Sequence, residues 1–355
     1  MARPFASVLI DTYNHERFIE EAIVSVIEQD FPASDREILV VDDGSTDRTT
    51  EIVRKFEPSV RLLEKPNGGQ GSAFNAGIPE CRGEFVSFLD GDDWWAPGKL
   101  CAVCDVLASD EEAGLVGHGI IIRHLDGRLQ THTLNAGHRF SANNAADARL
   151  FRLRKSFLGT SRMTIRTALL RRIGAVPPAI TIQADEYLFT LAAALSWAVI
   201  LPEALTFYRL HEENSFQLAS NDSARVRKKY EALEALADSL SEQLQVRETA
   251  PVVREAITEA LQAEVGQLRL ALDGGWPWET VQVEWLAYCV MHPEVSVGNR
   301  LLKLASLVPA LFLTPRVFYS TRKKVAESNV YQRLRKRWIP APELPHVNTE
   351  WRSGA

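Results

Sequence analysis

Cysteine is scarce in this sequence, four in 355 residues, which excludes a disulfide scaffold. Cys101 and Cys104 form one C-x-x-C, but no second C-x-x-C or H-x-x-x-H follows, and Cys81 and Cys289 stand alone. The pair lies in the apolar run 100–107, where i,i+3 spacing sets both thiols on one helix face. A buried structural pair is therefore expected, rather than a redox site or half a zinc site. Positive charge is also in deficit. Forty Lys and Arg stand against 46 Asp and Glu, a net charge of -6, which disfavours broad nucleic-acid binding but leaves room for a local basic patch. Uninterrupted apolar runs are missing too. The strongest, 301–319, is broken by Lys303, Pro309 and Pro315, so no spanning helix is expected. The first residues lack the apolar core of a signal peptide, and a cytoplasmic location is expected, or one at the inner face of the membrane. There is no G-K-[ST], hence no P-loop, and Gly69-Gln70-Gly71 lacks the third glycine and the placement of a dinucleotide fingerprint. A nucleotidyltransferase would want a glycine-rich, cationic loop after the first strand, where this chain reads Asp11-Thr12-Tyr13-Asn14-His15.

What remains is an ordinary folded composition, 46% hydrophobic and 24% charged. Apolar runs at 7–10, 38–41, 60–63 and 85–89 predict buried strands, and helical spacing predicts helices at 19–27, 49–56 and 71–78. This alternation implies right-handed crossovers and a mostly parallel sheet with helices on both faces. The polar punctuation follows the strands, at the edge where open α/β sheets bind ligands. From 108 to 174 the pattern weakens, and Gly117 to Arg123 alternates poorly. Helical spacing returns at Val226, Tyr230, Leu233, Leu236, Leu240 and Leu244, and again at Ile257, Leu261, Leu268 and Leu272, up to the stop at Asp273-Gly274-Gly275. The expected organisation is an α/β domain over 1–217 (halves 1–107 and 108–217), a helical region over 218–300, and an apolar then basic tail over 301–355.

Three acidic clusters follow three strands: Asp42-Asp43, Asp90-Gly91-Asp92-Asp93 and Asp185-Glu186. Carboxylates converging on one sheet edge repel each other unless a cation sits among them, and oxygen donors without a histidine or cysteine cluster favour Mg²⁺ or Mn²⁺. Such an ion is usually completed by substrate phosphates, which implies departure of a diphosphate-type group. Asp-rich turns also arise for local reasons, and Asp47 is expected to be only a helix cap.

The ordered motifs Ser7-Val8-Leu9-Ile10-x-Thr12-Tyr13-Asn14, Val40-Val41-Asp42-Asp43-Gly44-Ser45-Thr46-Asp47, Asn67-x-Gly69-x-Gly71-Ser72-Ala73-x-Asn75-x-Gly77 and Phe88-Leu89-Asp90-x-Asp92-Asp93-x-Trp95-x-Pro97 resemble those of family 2 glycosyltransferases. The resemblance implies a GT-A fold, a mostly parallel sheet flanked by helices, here with a C-terminal helical appendage. It implies an inverting transfer from a nucleoside-diphosphate sugar, a UDP-sugar in first place, to an acceptor hydroxyl, in bacterial-type surface glycan or polysaccharide synthesis. Carried over by position, Thr12, Tyr13, Asn14, Asp42, Asp43, Asn67, Gly69, Asn75 and Asp90 would bind the donor. Asp43 is favoured over Asp42 for the base edge, and Asp92 would hold Mn²⁺ or Mg²⁺. Phe74 stands where the family usually has Arg, and Asp11 where it usually has Pro.

Downstream, Ser161 to Arg166 and Ile173-Gly174 resemble the family's acceptor-side strand and turn, and Asp185 occupies the position of its catalytic base, with Ala184 replacing the usual Glu. Asp185-Glu186 also reads as an acid pair at a helix N-terminus favoured by the macrodipole, a role compatible with the catalytic one. Tyr208-Arg209-Leu210-His211, followed by Asn214-Ser215, resembles a further family segment. His211 would complete the metal shell, although a lone His after a strand is commonly a packed residue. Arg209 would position a nearby acid. Trp94, Glu186 and Arg209 are acceptor-side candidates, with Trp95 taken as the packing Trp. The acceptor implied is a carbohydrate or lipid-linked glycan. Phe74 and Ala184 also motivate the alternative of a nucleotide-sugar-binding module without turnover. Residues 316–337 carry eight Lys and Arg against one Glu, net +7, so 301–337 suits either a helix lying on an anionic membrane or one docked on the protein with a solvated basic tail.

Overall fold

The structure, a computed structural model, describes residues 5–211, 223–291 and 297–327. It begins with strand β1 (Ala6–Thr12), helix α1 (Ile19–Ile27), β2 (Arg36–Asp42), α2 (Thr49–Arg54), β3 (Arg61–Glu64), α3 (Gln70–Gly77), β4 (Phe85–Asp90), the short β5 (Trp94–Trp95) and α4 (Lys99–Ser109). It continues with β6 (Ala113–Arg123), β7 (Leu129–His132), β8 (His138–Phe140), α5 (Ala145–Arg154), β9 (Thr164–Arg166), α6 (Thr167–Ile173), α7 (Ala184–Leu195) and β10 (Trp197–Arg209). Helices α8 (Ser223–Val246), α9 (Pro251–Asp273), α10 (Pro277–Met291), α11 (Val297–Ser306) and α12 (Pro315–Glu327) follow. Two compact units result: one gathers 5–211 with 242–253, the other 223–241 with the helical residues from 254 onward.

In the α/β unit the sheet runs β3-β2-β1-β4-β9-β6-β10-β5, with β7 on β6 and β8 on β10. The first four strands are parallel, as short strand–helix units require. The acceptor half is mixed. Strand β9 runs antiparallel to both β4 and β6, β6 and β10 are parallel, and β5 returns antiparallel. One face of β1 (Ala6, Val8, Ile10) shares a core with Ile19, Ile23 and Val26 of α1 and Leu100, Val103 and Leu107 of α4. On the other face Leu9 and Val41 press on Gly77 of α3, where any Cβ would collide with both. The poorly alternating β6 is buried from Ala113 to Ile120, which removes the polar face that alternation needs.

All four cysteines are thiols. Cys104 is buried in the core and Cys101 packs at its margin, as expected of a structural pair. Burial first, then the nearby Glu37 carboxylate, pushes the Cys81 thiol up to about 12. Asp47 does cap: its carboxylate accepts from the Thr49 N–H and hydroxyl and from the Glu16 N–H. The expected stop at Gly274-Gly275 is also present, both with positive φ. Among the described residues no helix is long and apolar enough to cross a membrane.

Candidate active site

The site forms where β1, β2 and β4 end together. Register alone sets Thr12 opposite Asp42 and Asp11 opposite Asp90. Two further backbone bonds, Asp43 N–H to Thr12 O and Gly91 N–H to Asp11 O (both 2.9 Å), carry the ladders into the loops. The β1 and β2 loops are laced together. Asn14, in the left-handed region (φ 56°), donates its N–H to Ser45 Oγ and accepts at Oδ1 from Thr46 N–H. Tyr13 is exposed beside them.

The Asp42-Asp43 pair divides its contacts. The Asp43 carboxylate is engaged by Lys65 Nζ (2.5 Å) and by the N–H groups of Gly68 and Gly69. Asn67 adds a bond from its amide to the Asp43 carbonyl (3.0 Å). This leaves Asp43 as the organiser of the Asn67–Gly69 loop. Asp42 Oδ2 accepts from the Gly44 and Ser45 N–H groups, while its buried Oδ1 has no protein partner. Asn75 likewise has another duty: its amide donates to and accepts from the Val176 backbone, both at 2.8 Å, clamping α3 to the acceptor half.

The carboxylates converge. Ligand oxygens of Asp90, Asp92 and Asp93 lie within 4.8 Å of one another. Asp93 is buried, its Oδ2 accepting from Ser161 Oγ (2.6 Å) and its Oδ1 from the Arg209 N–H (3.0 Å). Asp92 Oδ2 lies 2.9 Å from His211 Nε2 and 3.9 Å from His15 Nε2. Burial first, and then neighbouring carboxylates, raise Asp11, Asp90 and Asp93 above the ordinary carboxylate range, Asp93 to about 8. Burial works against Asp92 as well, but the His211 hydrogen bond and the charges of His15 and His211 outweigh it and hold Asp92 low. Asp11 Oδ1 is buried without a protein partner. An all-oxygen donor set holding more negative charge than its surroundings accommodate fits a hard divalent cation. Asp90, Asp92 and Asp93 all offer an oxygen close enough to share such an ion, with His211 beside Asp92.

Asp185 enters from the acceptor half, in the first turn of α7. Gln183, left-handed at φ 58°, turns the chain into that helix. Asp185 Oδ2 accepts from Thr160 N–H (3.1 Å) and Oδ1 from Glu186 N–H (2.8 Å). Glu186 pairs with Lys155 at 2.5 Å. Gln70 ties the halves together: Nε2 donates to Asp90 Oδ1 (3.2 Å) and Thr160 Oγ1 (3.1 Å), and Oε1 accepts from Ala184 N–H (3.1 Å). Arg162 has the negative charges of Asp185, Asp93 and Asp90 around it, although burial lowers its pKa.

Arg209 packs between Phe18 (4.8 Å) and Trp94 (4.5 Å), donates to the Asp92 carbonyl (3.0 Å) and pairs with Glu21. It therefore braces the acidic loop. Trp95 is buried and donates to the Ser161 carbonyl, a packing role. Trp94 is half-buried, with one indole face stacked on Phe207 at 4.9 Å. Two of the three departures from the resemblance, Phe74 and Ala184, are core positions, and the third, Asp11, joins the carboxylates of the site. Phe74 is fully buried edge-on to Phe88 at 5.1 Å, and Ala184 is buried near Gly71. Asn214 and Ser215 lie outside the described residues. Sequence reasoning gave no role to His15, Lys65, Gln70 or Arg162, and named Asp93 only within its acidic cluster. Gln70 was visible only as a neighbour of motif residues, and Arg162 only within the acceptor-side segment.

Comparison with known proteins places this geometry. The profile of glycosyl transferase family 2 matches residues 7–174. The chain is 33% identical over 233 residues to an uncharacterized glycosyltransferase of Nostoc sp., covering 64% of this chain and 71% of that one. A shorter stretch, 92 residues at 44% identity, matches the poly(ribitol-phosphate) beta-N-acetylglucosaminyltransferase TarS of Staphylococcus aureus, over 25% of this chain and 16% of TarS. In fold, the chain resembles S. aureus TarS 1–349 in complex with UDP-GlcNAc (TM-score 0.56, 22% identity, 86% of this chain and 88% of that one). It also resembles a Pyrobaculum calidifontis mannosyltransferase in complex with GDP-Man and Mn²⁺ (TM-score 0.53, 20% identity, 96% and 89%). The chain belongs to glycosyl transferase family 2 and is a glycosyltransferase with the GT-A fold.

Proposed function

We propose that the enzyme transfers a sugar, with inversion, from a UDP-sugar to an acceptor hydroxyl, with Asp185 as general base and Mn²⁺ or Mg²⁺ held by Asp92 and Asp90. The observation that carries this reading is the meeting of Asp185 from the acceptor half with Asp90, Asp92 and Asp93 from the donor half, bridged by Gln70. The UDP-GlcNAc and GDP-Man bound by structural neighbours support a nucleotide-sugar donor, and the Mn²⁺ of one supports the ion.

Asp42 takes the base edge in this reading, since its Oδ1 is the unused acceptor and a carboxylate facing a uracil N3–H makes a charge-assisted bond. Thr12, Tyr13 and Asn14 line the nucleoside side, with Asn67 and Gly69 shaping the loop beneath. When bound, the metal neutralises charge on the departing diphosphate. Asp185 accepts the proton of the acceptor hydroxyl as that oxygen forms the new bond to the anomeric carbon, while the bond from that carbon to the diphosphate breaks. Thr160 N–H holds one oxygen of Asp185 and fixes its aim. Glu186 and Trp94 flank the acceptor, and Arg209 with Asp93 positions the metal-holding loop. The acceptor proposed is a carbohydrate or lipid-linked glycan of a surface polysaccharide, and an enzyme using a lipid-linked acceptor would work at a membrane face.

Asp185→Asn should lower transfer from UDP-GlcNAc by about 10²–10⁴-fold while UDP binding persists. Asp92→Ala should abolish the dependence on Mn²⁺ or Mg²⁺. Unchanged turnover in Asp185→Asn would remove the base assignment. Turnover by the wild type would dispose of a binding module without activity, a reading already weakened because Phe74 and Ala184 are core packing.

A further inference from the structure

Helix α11 is built inside out. Its inward stripe holds half-buried Arg300 and Lys303, then Leu307 and Ala310 beyond the helix end, and Lys303 Nζ reaches the buried carboxylate of Glu284 at 3.3 Å. That carboxylate also receives Gln267 at 2.8 Å and Arg322 of α12. The outward stripe holds Leu301 (61% exposed), Leu302 (68%) and Leu304, and continues past the helix through Val308, Leu311 and Phe312 (82%). A helix in water turns this pattern the other way, leucines in and lysines out. Here Lys303 is held inward by Glu284, so rotating the helix would take one cation away from a buried carboxylate. Contiguous exposed leucines of this kind mark a surface that meets another apolar phase.

The charge around this face identifies that phase. Residues 297–326 contain Arg300, Lys303, Arg316, Arg322, Lys323 and Lys324 and no Asp or Glu. Arg316 at the start of α12 donates to the Leu272 carbonyl (2.9 Å), tying its turn to the neighbouring one that exposes Trp276 and Trp278. Apolar residues, exposed tryptophans and a segment holding more cations than the single Glu284 carboxylate balances together match the interface of an anionic bilayer, where apolar side chains enter the acyl boundary and Lys and Arg meet headgroups. We propose that the face formed by Leu301, Leu302, Val308, Leu311 and Phe312 docks on an anionic lipid surface. The proposal is independent of the catalytic reading, and it narrows the 301–337 expectation to one face; residues 328–337 lie outside the described residues.

The test is co-sedimentation of the full chain with vesicles of phosphatidylcholine alone or mixed with phosphatidylglycerol. The wild type should bind the mixed vesicles, less tightly at high salt, and leave the neutral ones in solution. Leu302→Glu with Phe312→Glu should weaken binding at least about tenfold, and Lys323→Glu with Lys324→Glu should weaken it specifically for the mixed vesicles. Donor turnover on a soluble acceptor and thermal melting should stay at wild-type values in both variants, which separates lost docking from lost folding or chemistry. Absence of vesicle binding by the wild type overturns the proposal. So does undiminished binding of the Leu302/Phe312 variant, or a dimer that this variant dissociates without any change in vesicle binding, which would assign the face to a second copy of the chain.

Discussion

Gly69 shows how much of the site hangs on single backbone positions. Its φ of +82° and ψ of 174° lie in a region essentially reserved for glycine, and a Cβ there would collide with the Thr181 carbonyl oxygen. Its N–H also holds Asp43 Oδ2 at 2.7 Å. Gly69→Ala should therefore cost about 1–3 kcal/mol, read as a lowered melting temperature, and should raise the KM for the donor as the Asp43-centred loop shifts. Wild-type melting in this variant would show that the loop tolerates the change. The motif glycine was legible in the sequence, but the duties of its neighbours were not. Nothing in Asp42-Asp43 says which carboxylate meets Lys65 and the loop N–H groups, because those partners sit 22 to 26 residues downstream. Asn75 reads as a donor contact in the motif, whereas its partner, the Val176 backbone, is 101 residues away. Side-chain saturation is a tertiary property, and spacing does not carry it.

Among the elements, α3 is the one that joins donor and acceptor halves. Asn75 clamps it to Val176, Gln70 N–H bonds the Thr181 carbonyl at 3.0 Å, and Gln70 Oε1 holds the first residue of α7. Asn75→Ala should remove both clamp bonds and strand one backbone donor and one acceptor, a loss of about 1–3 kcal/mol visible in denaturant unfolding. Asn75→Asp should retain the acceptor half and fall between the two. Equal stability of Asn75→Ala and wild type would mean that water replaces the clamp without cost. Strands β1, β2 and β4 were readable because each is a buried run bounded by turn residues, and α1 because its apolar spacing is regular. Strand β6 was not, since an interior strand flanked by β9 and β10 presents no alternation to read. The antiparallel β9 was too short, at three residues, to announce its direction.

At the scale of the whole molecule the net charge of -6 averages two unlike distributions: a cationic C-terminal stretch, net +7 over 316–337, and an acidic remainder whose carboxylates gather at the end of one sheet. Strands β1 and β4 deliver Asp11 and Asp90, the loop beyond β4 delivers Asp92 and Asp93, and α7 delivers Asp185. Each carboxylate adds to the burden on Asp90, whose pKa burial raises first and Asp11, Asp92, Asp93 and Asp185 raise further. Arg162, His15 and His211 offset only part of this charge. A divalent cation bound here should therefore act on the entire α/β unit as a ligand of the native state, stabilising it in proportion to RT ln(1 + [M]/Kd). At about one hundred times Kd that is about 2.7 kcal/mol, and for a unit of this size each kcal/mol moves the midpoint by roughly 2–4 °C. Titrating Mn²⁺ into metal-free protein should raise its melting temperature by several degrees, with a further rise when UDP is added to complete the coordination. Asp92→Ala should melt close to metal-free wild type and lose most of the Mn²⁺ increment, because it removes a donor carboxylate and the partner of His211 together. An undiminished increment in that variant would locate the ion elsewhere and detach the metal from the Asp90–Asp93 loop.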